Sequence, residues 1–445
     1  MKSFLAALLA AAASFSLLPS VQASKEVFAH VILGNTADLQ TTDWESDITL
    51  AQEAKIDGFV LNVAFNDPNN DQSLSRAFEA AASKNFSLFF SFDYLALGPW
   101  PQASVVDLLN RFVSSPAYFK QDDKPFVSTF EGPGNADDWP GIKSQTNCFF
   151  VPDWSSLPAT EAVSRAGGVV DGLFSFNAWP VGPTNMTTEP DKDFQSALSG
   201  AGDKKYMMPV SPWFYTALPG LAKNWMWRGD NLWEERWKQV LEIQPDFVQI
   251  LTWNDFGESH YIGPVRELPA KQLIDAGGAP VDYVSGNTHD GWRKQLPFYI
   301  EQYKSGTTEQ EFEESVVAYY RTNPAQACGS GGTTGNNADF PGQVEIPPDQ
   351  MVEDSVFYTA LLKEPAQVEV EIGGVKVEGN TAFFSRPQGD GAGIYQGSVS
   401  FGGKTGDVVV RVVRDGNVIA EAKGGAPIAA ECTAINWNAV CISSP

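Results

Sequence analysis

The feature that most constrains the fold of this chain is a series of eight short apolar runs between residues 27 and 252, rich in β-branched and aromatic residues. Nearly continuous apolar runs predict parallel strands that are buried on both faces. Roughly 20 to 40 residues separate the start of one run from the next, which leaves room for one helix in each interval. The predicted strands are Val27–Leu33, Gly58–Ala64, Ser87–Phe92, Pro125–Phe130, Cys148–Val151, Gly172–Phe176, Tyr206–Val210 and Asp246–Thr252.

The intervals between these runs carry helix signals. Thr42-Asp43-Trp44-Glu45 is a capping box, in which a side chain at the helix start and a returning carboxylate bond the first free amides. Strands alternating with helices predict a (β/α)8 barrel, and an open doubly wound sheet is the alternative. The glycine-rich fingerprint of that alternative is missing after the first strand, where Leu33-Gly34-Asn35-Thr36 stands. The other predicted helices are Gln72–Lys84, Ser104–Phe112 and Leu232–Ile243.

Residues 1–23 have the pattern of a secretory signal peptide. Lys2 is followed by the apolar stretch Phe4–Leu18 and by the small-x-small cleavage site Val21-Gln22-Ala23. No later run approaches the roughly 18 apolar residues that a membrane-spanning helix needs. We therefore expect a secreted protein, in the extracellular medium or the cell wall, without a membrane partner. The triplets that begin at Asn85 and Asn185 are acceptor sequences for N-glycosylation and agree with export.

The composition changes along the chain and predicts two domains. Residues 24–328 are expected to form the barrel, extended by a helical segment in which Trp292–Lys304 is the clearest helix. Residues 329–343, rich in Gly, Thr and Asn, predict a linker. Residues 344–445 predict a small antiparallel β-sandwich, because short strands alternate with turn signals such as Gly373-Gly374 and Asp415-Gly416. Its predicted strands are Val368–Ile372, Val375–Val377, Tyr395–Phe401, Val408–Val413 and Val418–Ala420.

The chain has four cysteines, Cys148, Cys328, Cys432 and Cys441, and no Cys-x-x-Cys pair. In an oxidising compartment such cysteines favour disulfides over zinc ligands. Cys432 and Cys441 are close enough in sequence to close a terminal loop, and a Cys148–Cys328 bridge then follows by elimination.

The net charge of −24, from 54 acidic and 30 basic residues, limits the partners of the chain. It would repel the phosphates of a nucleic acid but not a neutral polysaccharide. The three histidines, His30, His260 and His289, lie in different contexts and do not predict a zinc site. We therefore expect no metal ion, no cofactor and no nucleic-acid partner, and we expect a monomer.

Polar and aromatic residues follow the predicted strands, at the edge where barrel enzymes gather their functional groups. Carboxylates there can bind sugar hydroxyls, and aromatic faces can pack on a pyranose ring. Each residue also has a structural interpretation, since an acid can cap a loop and a tryptophan can fill the core. Trp225, Trp227 and Trp233 fit the core and the cleft wall equally well. The candidate substrate-binding residues are Asp93, Glu131, Asp153, Trp179, Trp213, Tyr215, Trp253, Asn254, His260 and His289.

Asp255 and Glu258 are the candidate catalytic pair, because both follow the eighth predicted strand in one short loop. Glycosidic cleavage needs one carboxyl group to protonate the leaving oxygen and a second to activate water or attack carbon. Gly257 between them permits backbone angles that aim both groups into a cleft. Asp-x-x-Glu is also a helix-capping pattern, but Gly257 and Gly263-Pro264 make a helix here unfavourable.

Several motifs in order resemble glycoside hydrolase family 71, the fungal α-1,3-glucanases or mutanases. The resemblance runs from Val27 to about Thr322. The motifs that carry it are FAHVILGNT, DGFVLNVA, LFFSFDY, FVSTFEG, FNAWP, SPWFYT, LTWNDFGESHYIGP and THDGWR.

This resemblance implies endo-hydrolysis of α-1,3-glucosidic bonds with inversion of configuration. It also implies that Asp255 and Glu258 of the WNDFGE motif are catalytic, with Asp255 as general base and Glu258 as general acid. A general acid must hold its proton near the working pH, so we expect the pKa of Glu258 to be raised. Two alternatives are open: a glycosidase of another glucan linkage, and a non-catalytic protein that binds cell-wall glucan.

Overall fold

The computed structural model describes residues 25–202, 204–307, 309–327, 346–377 and 382–445. The predicted signal peptide, the predicted linker 329–343 and Cys328 lie outside these residues. Within the described ranges, no helix combines the length and apolar character that a membrane crossing needs.

Each of the eight predicted strands of the first domain is present, with ends shifted by two residues at most. Their side chains are almost entirely buried, as expected for strands covered on both faces. Three further short strands lie among them. The strands are β1 Glu26–Ile32, β2 Gly58–Ala64, β3 Ser87–Asp93, β4 Lys120–Gln121, β5 Lys124–Phe130, β6 Phe149–Phe150, β7 Gly172–Phe174, β8 Lys205–Val210, β9 Tyr215–Leu218, β10 Lys223–Met226 and β11 Phe247–Ile250.

The parallel strands form one curled sheet in the order β5-β3-β2-β1-β11-β8-β7, with β6 paired to the outer side of β5. Asp153, three residues beyond β6, forms parallel bridges with Phe130 of β5 and with Phe174 of β7. Strand pairing thus continues from one end of the sheet towards the other. The result is a mixed α/β fold consistent with a (β/α)8-type barrel, whose strands all end at the same edge.

The helices match the predictions in place but differ at some ends. The first begins at Thr41 with a capping box made by Gln40 and Asp43, two residues earlier than the predicted box of Thr42 and Glu45. The predicted helix Trp292–Lys304 is two helices, because Pro297 leaves no amide to continue the first one. The helices are α1 Thr41–Glu53, α2 Asn70–Lys84, α3 Gln102–Phe112, α4 Trp139–Thr146, α5 Ala159–Ala166, α6 Glu189–Gly200, α7 Leu232–Ile243, α8 Glu267–Ala276, α9 Asp290–Lys294, α10 Leu296–Ser305 and α11 Pro348–Met351.

The C-terminal region contains two antiparallel sheets with a common apolar core. Their strand orders are β16-β17-β13-β12-β20 and β15-β14-β18-β19, and both predicted glycine turns have the positive φ that such hairpins need. The strands are β12 Ser315–Arg321, β13 Ser355–Leu362, β14 Gln367–Ile372, β15 Val375–Lys376, β16 Phe383–Ser385, β17 Gly393–Ser400, β18 Val408–Arg414, β19 Asn417–Lys423 and β20 Ala439–Ser443.

The predicted domain boundary at residue 328 does not follow the sheets. Strand β12 precedes that boundary, yet it pairs with β13 on one side and with β20 on the other. Every residue of β12 is buried, which explains why its sequence was indistinguishable from part of the first core. The C-terminal sheets therefore begin before the glycine-rich segment.

The predicted disulfide pairings are wrong. Cys148 and Cys441 are free, buried thiols, and Cys432 is disulfide-bonded. Cys441 lies inside β20, where its sulfur faces the backbone of Gly291 in α9, so it is held away from the loop that carries Cys432. Cys148 precedes β6 in the core of the first domain. Closeness in sequence did not show that Cys441 lies inside a strand while Cys432 lies in the loop before it.

Candidate active site

The loop after β11 is folded back on itself by backbone hydrogen bonds. The amide of Thr252 donates to the carbonyl of His260 at 2.9 Å, and the amide of Gly263 donates to the carbonyl of Trp253 at 2.8 Å. A Cβ atom on Gly263 would lie 2.5 Å from that carbonyl oxygen, so only glycine allows this approach. The tip of the loop therefore holds Asp255 and Glu258 in one fixed turn.

Asp255 and Glu258 interact directly within this turn. The amide of Glu258 donates to Oδ1 of Asp255 at 3.0 Å, which is the capping contact, although no helix of the described chain begins here. The residue with a left-handed backbone is Ser259, with φ of 62°, and not Gly257 as predicted. One side-chain atom from each of Asp255, Glu258 and His260 lies within 4.8 Å of the other two. Both carboxyl groups are half-buried and reach the same small region.

Glu258 is held from two sides. Its Oε1 accepts a hydrogen bond from Nζ of Lys223 at 2.7 Å, and its Oε2 lies 3.0 Å from Nε2 of His260. Lys223 comes from β10, the second strand of a hairpin with β9 that lies between β8 and α7. Lys223 could not be predicted from the sequence, because nothing in the spacing of a surface lysine indicates that its hairpin brings it to Glu258.

The other ring nitrogen of His260 is bonded to Thr252. Oγ1 of Thr252 accepts the amide of Asp255 at 2.8 Å and lies 3.0 Å from Nδ1 of His260. Since that oxygen already accepts one hydrogen, its own hydroxyl hydrogen is free to point at Nδ1. The arrangement fits an Nε2–H of His260 that donates to Glu258. Thr252 thus links both carboxyl residues through one hydroxyl.

The two carboxyl groups have opposite pKa shifts. Burial raises the pKa of Asp255, and the negative charge of Glu258 raises it further. Burial alone would raise the pKa of Glu258, but Lys223 and His260 outweigh it, so that this pKa lies well below its ordinary value. The expected raised pKa of Glu258 is therefore wrong. The cause is the ammonium of Lys223, whose contact with Glu258 could not be predicted from the sequence.

Asp255, Glu258 and His260 also offer three atoms of the kind that bind a metal ion. Lys223 already supplies a positive charge to this group, because its ammonium forms an ion pair with Glu258. Lys223 thus supplies one positive charge on the Glu258 side of this group.

An aromatic cluster borders the pair. Phe214, Trp225 and Trp227 pack together with the half-buried Trp179, apart from the main core. The rings of Trp179 and Phe214 lie 5.2 Å and 5.5 Å from that of His260. Trp225 and Trp227 therefore form a wall near the site, whereas Trp233 belongs to the core. Trp179 keeps an accessible face and remains a predicted sugar contact.

Glu131 and Asp153 form a second acidic pair at the same edge of the sheet. Oε1 of Glu131 accepts the amide of Ser156 at 2.9 Å, and Oδ1 of Asp153 accepts the amide of Ser155 at 3.0 Å. Burial raises the pKa of both carboxyl groups, and at Asp153 the charge of Glu131 raises it further. Asp153 is completely buried, so it does not contact substrate itself as predicted. Glu131 is half-buried and remains a predicted contact.

Asp93 lies at the end of β3 and is 7% exposed. Its Oδ1 accepts the amides of Leu95 and Ala96, at 2.8 Å and 2.9 Å, so it caps the loop that follows. Its charge also raises the pKa of Lys223, after the larger effect of Glu258. Asp93 therefore faces the same ammonium as the candidate pair, and its role in substrate binding remains a prediction.

Besides Asp93, Asp153 and His260, five predicted substrate contacts are buried and bonded within the protein, so those five predictions are corrected. A position at the end of a strand did not show which side chains are covered by other parts of the protein. Three of them contact the C-terminal region, and two are tied to β1 and α1. The bonds are Trp213 Nε1 to the Trp437 carbonyl, Tyr215 hydroxyl to the Ile435 carbonyl, His289 Nε2 to the Ala439 carbonyl, Trp253 Nε1 to Asp47 and Asn254 Nδ2 to the Ile32 carbonyl.

Cleavage of a glycosidic bond needs two carboxyl groups that reach one point, and the loop after β11 supplies two at the carboxyl edge of a curled parallel sheet. The fold and the site thus indicate a carbohydrate-cleaving enzyme. The sequence profile described as glycosyl hydrolase family 71 matches residues 23–445. The chain belongs to glycosyl hydrolase family 71, and it is a glycoside hydrolase.

Curated relatives cover most of the chain. A protein of Penicillium rubens named mutanase Pc12g07500 is 34% identical over 439 residues, which are 97% of this chain and 91% of that protein. The glucan endo-1,3-alpha-glucosidase agn1 of Schizosaccharomyces pombe is 35% identical, over 80% of this chain and 82% of that protein. Among solved structures, a GH99 endo-alpha-mannosidase of Bacteroides thetaiotaomicron is 13% identical with a TM-score of 0.48, over 62% of this chain and 97% of that one.

Proposed function

We propose that this enzyme is an endo-acting hydrolase of α-1,3-glucosidic bonds in α-1,3-glucan, with Asp255 and Glu258 as its catalytic pair. The observation that carries the proposal is the turn that holds both carboxyl groups, with Glu258 bonded to Lys223 and His260. The names of two relatives, mutanase and glucan endo-1,3-alpha-glucosidase, support the linkage. Trp179 and Glu131 are proposed to bind sugar units beside the pair.

The charges of the unliganded site support a division of roles that is the reverse of the sequence-based one. Glu258 accepts hydrogen bonds on both oxygens and is an ion-paired carboxylate, which suits a general base. Asp255 has the higher pKa of the two, which suits a general acid. We therefore propose Asp255 as the proton donor and Glu258 as the group that activates water.

Inversion, which the family resemblance implies, sets a condition on this pair. One oxygen of Asp255 and one of Glu258 lie within 4.8 Å of each other. Inverting enzymes separate their carboxyl groups by about 6.5–9.5 Å to admit the attacking water. The side chains must therefore move apart when substrate binds. NMR of the first product tests this, because β-anomeric ends from α-linked glucan mean inversion and α-anomeric ends mean retention.

The pair is tested with Asp255→Asn and Glu258→Gln on insoluble α-1,3-glucan, measured as released reducing sugar. Each variant should lose at least a hundredfold in rate, since general acid–base catalysis contributes about 10²–10⁴-fold. Asp71→Asn is a matched control, because that carboxylate is 78% exposed on α2. A panel of α-1,4-, β-1,3- and β-1,4-glucans separates the alternative linkages. Glucan binding without any product would favour the non-catalytic alternative.

The division of roles has its own readout in the same variants. An α-configured gluco-oligosaccharyl fluoride needs no proton donor, because fluoride leaves unassisted. The acid variant should therefore regain activity on the fluoride, and the base variant should not. We expect recovery for Asp255→Asn, and recovery for Glu258→Gln instead would restore the sequence-based assignment.

We further propose a secreted, glycosylated monomer. Asn85 and Asn185 are both exposed, which supports their modification. We also propose that the curled sheet closes as a complete (β/α)8 barrel through Asp153 and that the two C-terminal sheets pack as a β-sandwich around their common core. Peptide mapping of the exported protein tests the glycosylation.

A further inference from the structure

Lys223 is placed to act on the candidate pair from outside their loop. It lies on β10, opposite Leu218 of β9, and its ammonium is 2.7 Å from Oε1 of Glu258. Its side chain is 41% exposed while that of Glu258 is 16% exposed, so the ammonium reaches the pair from the open side of the site. Within the described chain, no other lysine or arginine forms an ion pair with Asp255 or Glu258.

The ionisable groups around this ammonium are mostly acidic. Glu258 and Asp255 come from the loop after β11, and Asp93 comes from the end of β3. His260 contacts Glu258 from the far side and is bonded to Thr252. One lysine thus faces three carboxyl groups, and it contacts only one of them. Its effect on the three is unequal, because it lies in hydrogen-bond distance of Glu258 alone.

We propose that Lys223 is a positioning residue that sets the order of ionisation in the catalytic pair: it holds Glu258 as a carboxylate and thereby leaves the pair's proton on Asp255. This inference rests on the proposed function. Without the ammonium, these two neighbouring carboxyl groups would compete for one proton. Neither group would then be fixed as the general acid or as the general base. With it, the resting site contains one acid and one base.

A purely structural role for Lys223 makes a different prediction. If the ion pair only fastened the β9–β10 hairpin to the loop, its loss would lower stability and activity at every pH alike. A role in ionisation moves the pH dependence itself. Removing the ammonium raises the pKa of Glu258, so the base becomes protonated at higher pH and the acidic limb of the kcat/KM profile moves upward.

The experiment compares kcat/KM from acidic to neutral pH for the native enzyme, Lys223→Met and Lys223→Arg on soluble α-1,3-gluco-oligosaccharides. In Lys223→Met the acidic limb should move up by about 1–3 pH units, the effect of an opposite charge at this range. Lys223→Arg should restore most of the native profile, because it keeps the charge. Lys271→Met removes an exposed lysine paired with Asp275 and should leave the profile unchanged.

An unmoved acidic limb in Lys223→Met, or a shift of the basic limb alone, overturns the inference. If that variant is too slow to assay, carboxyl ¹³C NMR titration of the unliganded protein gives the ionisation of Glu258 directly, and an unchanged titration is equally decisive. The proposed function fails separately, through full activity of Asp255→Asn or Glu258→Gln.

Discussion

At the scale of single residues, the site depends on how closely one loop approaches itself. Gly263 brings its backbone against the carbonyl of Trp253, and this contact holds the turn that carries Asp255 and Glu258. The pair itself was predictable, since two acids after an apolar run lie at the functional edge of a barrel. Lys223 was not predictable, because its contact with Glu258 depends on where the β9–β10 hairpin lies in the folded protein.

Gly263→Ala tests the importance of this approach. A Cβ atom would lie 2.5 Å from the Trp253 carbonyl and 2.7 Å from the indole nitrogen of the same residue, so the loop must shift. We expect a destabilisation of about 1–3 kcal/mol, typical of overpacking. The displaced turn should also lower kcat, measured on α-1,3-glucan. Gly134→Ala adds the same atom with no neighbour within 4 Å, and equal losses in both variants would contradict this explanation.

At the scale of elements, buried polar contacts join strand β12 of the C-terminal sheets to the region of α7. Nη1 of Arg321, in β12, is 2.8 Å from Oδ1 of Asp230, and both side chains are almost fully buried. The guanidinium also lies 4.3 Å from the ring centre of Trp213. Glu234 of α7 accepts a hydrogen bond from Tyr319 at 2.7 Å. These contacts fasten β12 to the region of α7.

Arg321→Met should therefore destabilise the protein by about 1.5–3 kcal/mol, the range for losing a hydrogen bond to a charged group. It removes the 2.8 Å partner of the buried Asp230 carboxylate and leaves Arg228, at 3.7 Å, as the remaining ion-pair contact. Denaturant unfolding measures the loss. The double variant with Asp230→Asn should recover part of it, since the weakly paired carboxylate is then replaced by a neutral amide. Lys192→Met removes a lysine that is 48% exposed and serves as the surface comparison. A loss under 1 kcal/mol for Arg321→Met would be incompatible with a buried pair.

The eight barrel-region strands were predictable because burial on both faces leaves short apolar runs, whose length and β-branched and aromatic residues favour strands over buried helices. Strand β12 has the same character, and its sequence alone did not show that it pairs with antiparallel neighbours. Strand β20 was missed because its five residues carry little alternation. Trp213 and His289 were predicted to line the cleft for a similar reason. Their local sequence does not show that residues near the C-terminus bury them.

At the scale of the whole molecule, the last strand connects both regions. Strand β20 pairs with β12, and the carbonyl of Ala439 receives hydrogen bonds from Asn287 at 2.7 Å and lies 2.9 Å from Nε2 of His289. The end of the chain is therefore part of the support of the barrel region. The C-terminal sheets are not an appended module in this protein.

Removal of residues 439–445 should abolish a cooperative fold. The deletion exposes the buried faces of β12 and α9 and leaves the polar groups of His289 and Asn287 without their partner. We expect loss of soluble protein and of glycoside hydrolase activity, measured on the expressed variant. Removal of Pro445 alone should be tolerated, because it is exposed. A deletion variant with native thermal unfolding would refute this view of the C-terminus.

The position of β20 also bears on how the protein is made. Because β20 completes the packing around α9, the segment near residue 290 gains its full packing only after residues 439–443 have been synthesised. The contact joins segments that are far apart in the chain, and pairings of this kind slow folding because a long loop must close before they form.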